Sequence, residues 1–306
     1  MSDSARLDGK VVAVTGAGRG IGRDIALLCA RQGAAVVVND LGASAEGEGA
    51  DAGPAEEVVS LIRSEGGKAI VNGASVADPN GAASIIEDAV KNFGRIDGVV
   101  NNAGILRDRI FHKMSVFDWQ QVVDVHLNGT FYVSKAAAGY FKDQGSGAYV
   151  HFTSTSGLIG NFGQANYSAA KMGIWALSNS IALDMQRFGV TSNCIAPFAW
   201  SRLIATIPTS TPEEELRVER MKTMTTDKIA PLVAALLTPG ANHVTGQTFG
   251  VRKNEIFVFS KPRPVKTMHR SEGWTPETII SDLLPAMGHA FTPLARSPEI
   301  FSYDPV

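Results

Sequence analysis

Three residues with hydroxyl and amine side chains stand at a spacing that can move a proton. Ser154 lies thirteen positions before Tyr167, and Lys171 follows that tyrosine four positions later. Residues at i and i+4 share one face of a helix. A phenol is a poor base at neutral pH because its ordinary pKa is about 10, whereas a nearby ammonium favours the phenolate. The pattern predicts that Tyr167 takes a proton from an alcohol whose oxygen Ser154 holds. Thr155 and Ser156 are neighbouring alternatives, and the spacing to Tyr167 favours Ser154.

A glycine-rich turn near the N-terminus predicts a site for a pyrophosphate. Residues 15–22 read Thr-Gly-Ala-Gly-Arg-Gly-Ile-Gly and stand between a β-branched run and an amphipathic helical pattern. Gly16 permits a tight turn, while Gly20 and Gly22 let the backbone and the free N–H groups of the helix approach an anion. Arg19 and Ile21 belong to the same turn. A tight loop would explain the glycines alone, but their position at the first strand–helix junction favours a dinucleotide site.

Asp40, at the end of the second predicted strand, bears on which dinucleotide fits. A carboxylate there accepts hydrogen bonds from the hydroxyls of an adenosine ribose. It also repels a 2′-phosphate, since two unit charges ~4 Å apart cost up to ~4 kcal/mol at an effective dielectric near 20. Arg19 is the counter-evidence, because a basic residue in this turn can serve that phosphate. We give the carboxylate more weight and predict NAD; the structural alternative for Asp40 is a helix cap.

Asparagines mark two further places. Asn101, Asn102, Ala103 and Gly104 close the fourth predicted strand, where amides tie turns and small residues leave room for a flat cofactor. Asn128 lies in a long helical pattern, in which asparagine has poor propensity. A local helix bend explains it structurally. The functional alternative is a bend whose freed backbone carbonyl holds a water for proton relay.

Composition excludes several classes of protein. The 306 residues are 44% apolar and 19% charged, with a formal net charge of −2, which argues against nucleic acid or an anionic membrane as the main partner. No stretch approaches the ~20 apolar residues of a membrane span. Cys29 and Cys194 lie in apolar runs and are predicted to be buried thiols in a reducing compartment. His112, His126 and His151 lack metal-ligand spacing, so no metal site is predicted. The last four residues, Tyr-Asp-Pro-Val, are not a Ser-Lys-Leu address, and a cytoplasmic location is expected.

Short β-branched runs alternate with longer amphipathic segments, which is typical of βαβ units and a parallel sheet. Seven strands with helices on both faces define a doubly wound, Rossmann-type α/β fold, whose ligands bind at the carboxyl ends of the strands. The predicted strands are 11–15, 34–39, 68–72, 98–101, 148–153, 190–195 and 247–250. The predicted helices are 20–32, 54–65, 80–92, 116–142 and 165–188.

Three segments interrupt this alternation. Residues 41–53 are rich in Gly, Ala and Glu and predict a flexible loop, while residues 200–226 surround a charged helix and predict a lid. From residue 255 onward the alternation stops. We therefore predict a Rossmann-type domain over 1–254 and an extension over 255–306 packed on the same domain. The elements expected in the extension are a strand at 255–259 and a helix at 275–287, with no element predicted for 288–306.

Over residues 7–250 these motifs together resemble the short-chain dehydrogenase/reductase family. Within it, the chain is most similar to the (3R)-hydroxyacyl-CoA dehydrogenase domains of peroxisomal multifunctional enzymes type 2, also called 17β-hydroxysteroid dehydrogenases type 4. The stretches that carry this likeness are 36–42, 101–109, 160–171 and 193–202. The resemblance implies that Ser75 and Val76 line an adenine pocket and that Asn128 joins the catalytic group. It also implies that the region after Pro197 covers nicotinamide and substrate. Phe198 replaces the glycine or small residue that the family usually has after this proline, and Trp200 follows close behind. Both are candidates for substrate contact.

The residues and the resemblance predict NAD-dependent oxidation of a secondary alcohol to a ketone. In that reaction Lys171 also hydrogen-bonds the nicotinamide ribose. The expected substrate is a (3R)-hydroxyacyl-CoA of fatty-acid or steroid side-chain degradation. The alternative substrate is a free steroid or another small secondary alcohol. The alternative outside the enzymes is a nucleotide-sensing protein that catalyses no reaction. No hydratase or sterol-carrier sequence follows, so a stand-alone enzyme is expected, and the two longest helical patterns favour a homodimer or homotetramer.

Overall fold

The computed structural model describes residues 6–200 and 211–305, and its centre is an eight-stranded sheet in the order β3-β2-β1-β4-β5-β6-β7-β8. Strands β1 to β7 pair in parallel, and β8 pairs antiparallel with β7. The doubly wound fold is thus confirmed, and the expected extra strand extends its edge. The strands are β1 (Val11–Thr15), β2 (Ala35–Asn39), β3 (Lys68–Asn72), β4 (Gly98–Asn101), β5 (Gly147–Phe152), β6 (Val190–Phe198), β7 (Thr248–Arg252) and β8 (Glu255–Val258).

Helices cover both faces of this sheet. The α-helices are α1 (Gly20–Arg31), α2 (Gly53–Ser64), α3 (Pro79–Phe93), α4 (Val116–Val123), α5 (Gly129–Gln144), α6 (Thr155–Leu158), α7 (Ala165–Met185), α8 (Pro212–Lys222), α9 (Ala230–Leu236), α10 (Pro276–Thr278), α11 (Leu284–Met287) and α12 (Ser297–Ile300). Single 3₁₀ turns lie at Phe111–Lys113, Gln186–Phe188, Thr226–Lys228, Pro239–Ala241 and Gly288–Ala290. The predicted elements of the sheet and its helices are found with ends displaced by zero to three residues.

The apolar runs of the central strands explain why the sheet is buried on both sides. All five residues of β1 and all five of β2 are buried, as expected for parallel strands covered on each face. Val12 and Val14 face one core, which α1, α2 and α9 complete, whereas Val11 and Ala13 face a second core with α3 and α5. Successive residues of a strand point to opposite faces, so a continuous β-branched run supplies both cores.

The helix predicted over 116–142 is interrupted. Asp124–Asn128 form a π turn between α4 and α5, and the Asn128 amide donates to Asp124 Oδ1 at 2.7 Å. A π turn inserts one residue into the i→i−4 ladder, and such turns are frequent at functional sites. The bend expected at Asn128 therefore has a defined form. The expected helix at 275–287 contains a second π turn, at Ile279–Leu283.

The charged helix of the expected lid is α8, and the ends of that segment meet. Trp200 N donates to Met224 O at 2.7 Å. Residues 201–210 of the predicted lid lie outside the described residues, and closure over a ligand stays a prediction. In the described part of the chain, no helix combines the length and apolar character needed to cross a membrane.

Candidate active site

The predicted site residues gather at one edge of the sheet because parallel strands end on the same side. Ser154 follows β5 and is the N-cap of α6, where its hydroxyl accepts from Ser156 N at 3.1 Å. Tyr167 lies in the first turn of α7 and Lys171 one turn later. The Ser154 hydroxyl faces the Tyr167 phenol and lowers the pKa of that phenol. The Lys171 ammonium lies 5.5 Å from the centre of the Tyr167 ring. The three predicted residues therefore form one cluster.

The Lys171 ammonium is buried and held by the backbone. Lys171 is only 4% exposed, and its Nζ donates to Phe152 O at 2.7 Å. Thr153 Oγ1 donates to Lys171 O at 2.7 Å, which fixes the helix against the end of β5. This lysine is thus pinned in the interior, unlike a solvated surface lysine.

Burial controls the titration of both groups. Burial raises the pKa of Tyr167 to about 12, although the Ser154 hydroxyl lowers it; the charge of Asp108 raises it further. Burial also lowers the pKa of Lys171 to about 7. Within the protein alone, the phenol pKa therefore moves in the direction opposite to the one expected from the sequence, because desolvation disfavours each charged form.

His126 forms a wall of the cluster that the sequence did not single out as functional. Its ring meets Tyr167 edge to face, with ring centres 5.2 Å apart. A Cβ on Gly104 would collide with the same imidazole, so glycine at that position admits His126. Burial and the charge of Lys171 lower the pKa of His126 to about 3. A neutral imidazole thus packs beside the phenol.

The side-chain amide of Asn166, directly before Tyr167, orients the start of this helix, and the sequence analysis assigned Asn166 no role. Asn166 is buried; its Nδ2 donates to Arg107 O and Asp118 O, and its Oδ1 accepts from Tyr167 N at 2.8 Å. Its position beside Tyr167 in the motif was the available signal. The loop after β4 is thereby fastened to the helix that carries the tyrosine.

Gln164 performs a similar task with its side-chain amide. Its Nε2 donates to Asp108 Oδ2 at 2.8 Å, and its Oε1 accepts from Ser156 Oγ at 2.8 Å. Partial desolvation raises the pKa of Asp108, and this hydrogen bond opposes the shift. One amide therefore joins the loop after β4, the loop after Ser154 and the helix of Tyr167.

The glycine turn is connected to this cluster through the turn after β4. Gly16 has φ +63°, and a Cβ there would stand 2.8 Å from Ala103 Cα. Asn102 Nδ2 donates to Thr15 O and to Gly16 O, each at 3.0 Å. The asparagine turn thus joins the ends of β1 and β4, in agreement with the predicted structural role of its side-chain amides. Gly22 packs against the same place, since a Cβ there would collide with Gly16 and Asn102.

Asp40 holds the other side of the turn. Its Oδ2 accepts from Gly18 N and its Oδ1 from Gly42 N, both at 2.7 Å. A Cβ on Gly18 would stand 2.9 Å from Asp40 Oδ2, so the close approach depends on that glycine. Arg19, Gly20 and Ile21 open α1, where Arg19 is exposed and its side chain does not cap the helix.

The remaining predicted cofactor residues fall on the same edge. Ser75 and Val76 follow β3, and a Cβ on Gly129, next to Asn128, would stand 2.9 Å from Val76 Cγ2. Pro197 lies near the end of β6. Contacts thus run from the glycine turn through Gly104 and His126 to Tyr167.

The two bulky residues predicted to meet the substrate differ in environment. The Phe198 ring packs in an aromatic cluster, 4.7 Å from the ring centre of Phe301 and 6.1 Å from that of Phe257. Contact of Phe198 with substrate stays a prediction, and its observed partners belong to β8 and the C-terminal segment. Trp200 is partly exposed at the start of the predicted lid.

The comparisons place this geometry in a family. The chain matches the short chain dehydrogenase model over residues 10–202. It is 48% identical, over 75% of its length and 77% of the relative's, to a short-chain type dehydrogenase/reductase of Mycobacterium tuberculosis. A structure of a short chain dehydrogenase from Mycobacterium avium is 37% identical, with a TM-score of 0.82 over 95% of this chain and 98% of that one. The protein belongs to the short-chain dehydrogenase/reductase family, and it is an oxidoreductase acting on CH–OH groups.

Two further relatives carry more particular names. The peroxisomal multifunctional enzyme type 2 of Drosophila melanogaster is 48% identical over 76% of this chain, but the match spans only 37% of that protein. A hydroxyacyl-CoA dehydrogenase of Mycobacterium tuberculosis is 34% identical over 92% of this chain and 90% of its own length. The likeness to multifunctional enzymes type 2, expected from the sequence, is confirmed.

Proposed function

We propose that this protein oxidises the 3-hydroxyl of a (3R)-hydroxyacyl-CoA to a ketone with NAD. The observation that carries the proposal is the cluster of Ser154, Tyr167 and the buried Lys171, which lies at the same sheet edge as the glycine turn. Such a cluster can accept the proton of an alcohol while the hydride of the same alcohol passes to a cofactor. Its burial also argues against a nucleotide-sensing protein that has lost its chemistry, since a buried lysine is costly to retain.

The residues of the turn fit a dinucleotide. Helix α1 begins without a side-chain cap and without an acidic residue in its first turn, so its free N–H groups suit a pyrophosphate. Gly16, Arg19, Gly20, Ile21 and Gly22 would hold that group. The adenosine would lie against Asp40, Ser75 and Val76, and the nicotinamide riboside against Asn102, Ala103, Gly104, Tyr167, Lys171 and Pro197. Bound NAD supplies the hydride acceptor and a positive ring charge that favours the phenolate.

The chain's own residues then divide the work. Tyr167 takes the proton of the substrate hydroxyl, and Ser154 holds the same oxygen by a hydrogen bond. Lys171 contributes positive charge and a hydrogen bond to the ribose, and His126 excludes water from one side of the phenol. Asn128, at the end of the π turn, belongs to the proton path toward solvent. A backbone carbonyl of this turn would hold the water that relays the proton.

The acyl-CoA substrate is supported by the hydroxyacyl-CoA dehydrogenase relative that aligns over nearly the whole of both chains. Phe198 and Trp200 would shape the pocket. We expect kcat/KM for a (3R)-hydroxyacyl-CoA to exceed that for the free hydroxy acid by at least about 100-fold, because binding energy of the CoA portion lowers the barrier. Steady-state formation of NADH measures both. Equal values for thioester and free acid would favour the alternative, a dehydrogenase of free steroids or other small alcohols.

Self-association is proposed for the faces of α4 and α5. Large apolar side chains are exposed on these helices and in a monomer would face water. We expect sedimentation equilibrium at micromolar concentration to give a homodimer or homotetramer; a monomer would contradict this assembly. The exposed residues are Val116, Phe117, Trp119, Phe131 and Tyr140.

A cytoplasmic location is also proposed for this protein. Fluorescence microscopy of the tagged protein in its cell of origin tests this location.

A further inference from the structure

The C-terminal segment returns to the loop that carries Ser154. Ser297, only 7% exposed, donates through its hydroxyl to Thr155 Oγ1 at 2.6 Å, and its N–H donates to Gly160 O at 3.0 Å. Thr155 is itself buried and is the residue after Ser154. The contact joins positions 142 residues apart in sequence. A buried hydroxyl pair at this place has no counterpart in the chemistry assigned above.

A neighbouring contact strengthens the same junction. The Arg296 guanidinium lies over the Phe162 ring, 4.9 Å from its centre, and is also paired with Glu299 at 2.6 Å. Phe162 and Gly160 both belong to the stretch between Ser154 and Tyr167. The segment therefore rests on the loop at two adjacent points.

A second anchor fixes the end of the segment to the sheet. Arg252, at the end of β7 and 5% exposed, donates to the carbonyls of Phe301 and Tyr303. Its guanidinium lies 4.4 Å from the centre of the Tyr303 ring. Phe301 packs against Phe198, as described above. The segment is thus held both at the loop between Ser154 and Tyr167 and at the end of β7.

We propose that residues 295–304 are a positioning element of the active site, in which Ser297 locks Thr155 and thereby aims the Ser154 hydroxyl at Tyr167 and the substrate oxygen. This proposal rests on the function proposed above. Ser297 touches neither substrate nor cofactor, and it acts through Thr155. The positioning is of the kind that holds reacting groups in place, where small displacements lower the rate.

The test is Ser297→Ala, with Ser302→Ala as the matched control, since Ser302 is an exposed serine of the same segment. We expect Ser297→Ala to lower kcat for the hydroxyacyl-CoA about 5- to 10-fold, the scale of one buried hydrogen bond. The KM for NAD should change less than twofold, because neither Ser297 nor Thr155 is among the residues proposed to hold the dinucleotide. Ser297→Thr, which keeps the hydroxyl, should restore most of kcat, and Ser302→Ala should match the parent.

A double-mutant cycle with Thr155→Val separates positioning from general stability. We expect kcat of the double variant to be no lower than kcat of the slower single variant, because the two substitutions remove the same contact. Additive losses, or a Ser297→Ala enzyme that melts earlier but turns over like the parent, would overturn the proposal. If Ser297→Ala does not fold, Thr155→Val is measured against the same criteria. A parent enzyme without activity would instead overturn the proposed function.

Discussion

Tyr167→Phe should lower kcat for alcohol oxidation by about 10²- to 10⁴-fold, the contribution typical of a positioned proton acceptor. Phenylalanine keeps the ring that packs edge to face on His126, so the loss comes from the hydroxyl and not from the fold. Steady-state NADH formation with saturating alcohol and NAD measures it. A variant that turns over as fast as the parent would remove Tyr167 from the mechanism.

Two controls make that result specific. Tyr140→Phe removes a phenol hydroxyl on α5, away from the proposed catalytic residues. It keeps the apolar ring that the proposed self-association uses, so kcat should stay unchanged. The dissociation constant of NADH for the Tyr167→Phe protein should stay within about threefold of the parent value, because the substitution leaves all the other proposed cofactor contacts in place. Loss of NADH binding together with kcat would instead indicate a damaged cofactor site.

Asp40→Asn should lower the ratio of kcat/KM for NAD to that for NADP by at least about tenfold, mainly through a gain on NADP. The carboxylate accepts two backbone N–H groups and stands at the end of β2, where a 2′-phosphate of NADP would lie. Repulsion between unit charges ~4 Å apart is up to ~4 kcal/mol at an effective dielectric near 20, which corresponds to roughly 10³-fold. Solvent screening reduces that figure, so tenfold is the lower expectation.

Glu57→Gln is the matched control for charge, since Glu57 is an exposed carboxylate on α2. It should leave the cofactor ratio as in the parent. A parent enzyme that prefers NADP, or an Asp40→Asn ratio equal to that of the parent, would show that the exposed Arg19 and not Asp40 decides the choice.

The sheet was predictable because its signal is local. In β1 and β2 every residue is buried, so each strand is a continuous apolar run that local pattern identifies. In β8 the burial alternates between partial and exposed, and the sequence indicates a strand without indicating its antiparallel direction. The π turn at Asp124–Asn128 was predictable only as an irregularity, because one extra residue hardly alters the periodicity of a long helix.

The candidate site divides in the same way. Spacing on one helix brought Tyr167 and Lys171 together, and motif order added Ser154. The sequence predicted a lowered pKa for Tyr167, whereas in the protein without cofactor this pKa is raised. The prediction was wrong because the sequence shows the neighbouring charge but not the desolvation of the phenol. The contact of Ser297 with Thr155 depends on how a long extension folds back, and no local pattern records that.

The central claim is tested most directly by a crystal structure of the protein with NAD and an unreactive 3-substituted acyl-CoA. We predict that the Tyr167 and Ser154 hydroxyl oxygens both lie within about 2.6–3.2 Å of the oxygen on C3 of the acyl chain. The nicotinamide carbon that accepts the hydride should face C3 from the opposite side. The Lys171 ammonium should reach the nicotinamide ribose. A dinucleotide bound away from the glycine turn, or a C3 oxygen out of reach of the Tyr167 hydroxyl, would contradict the account.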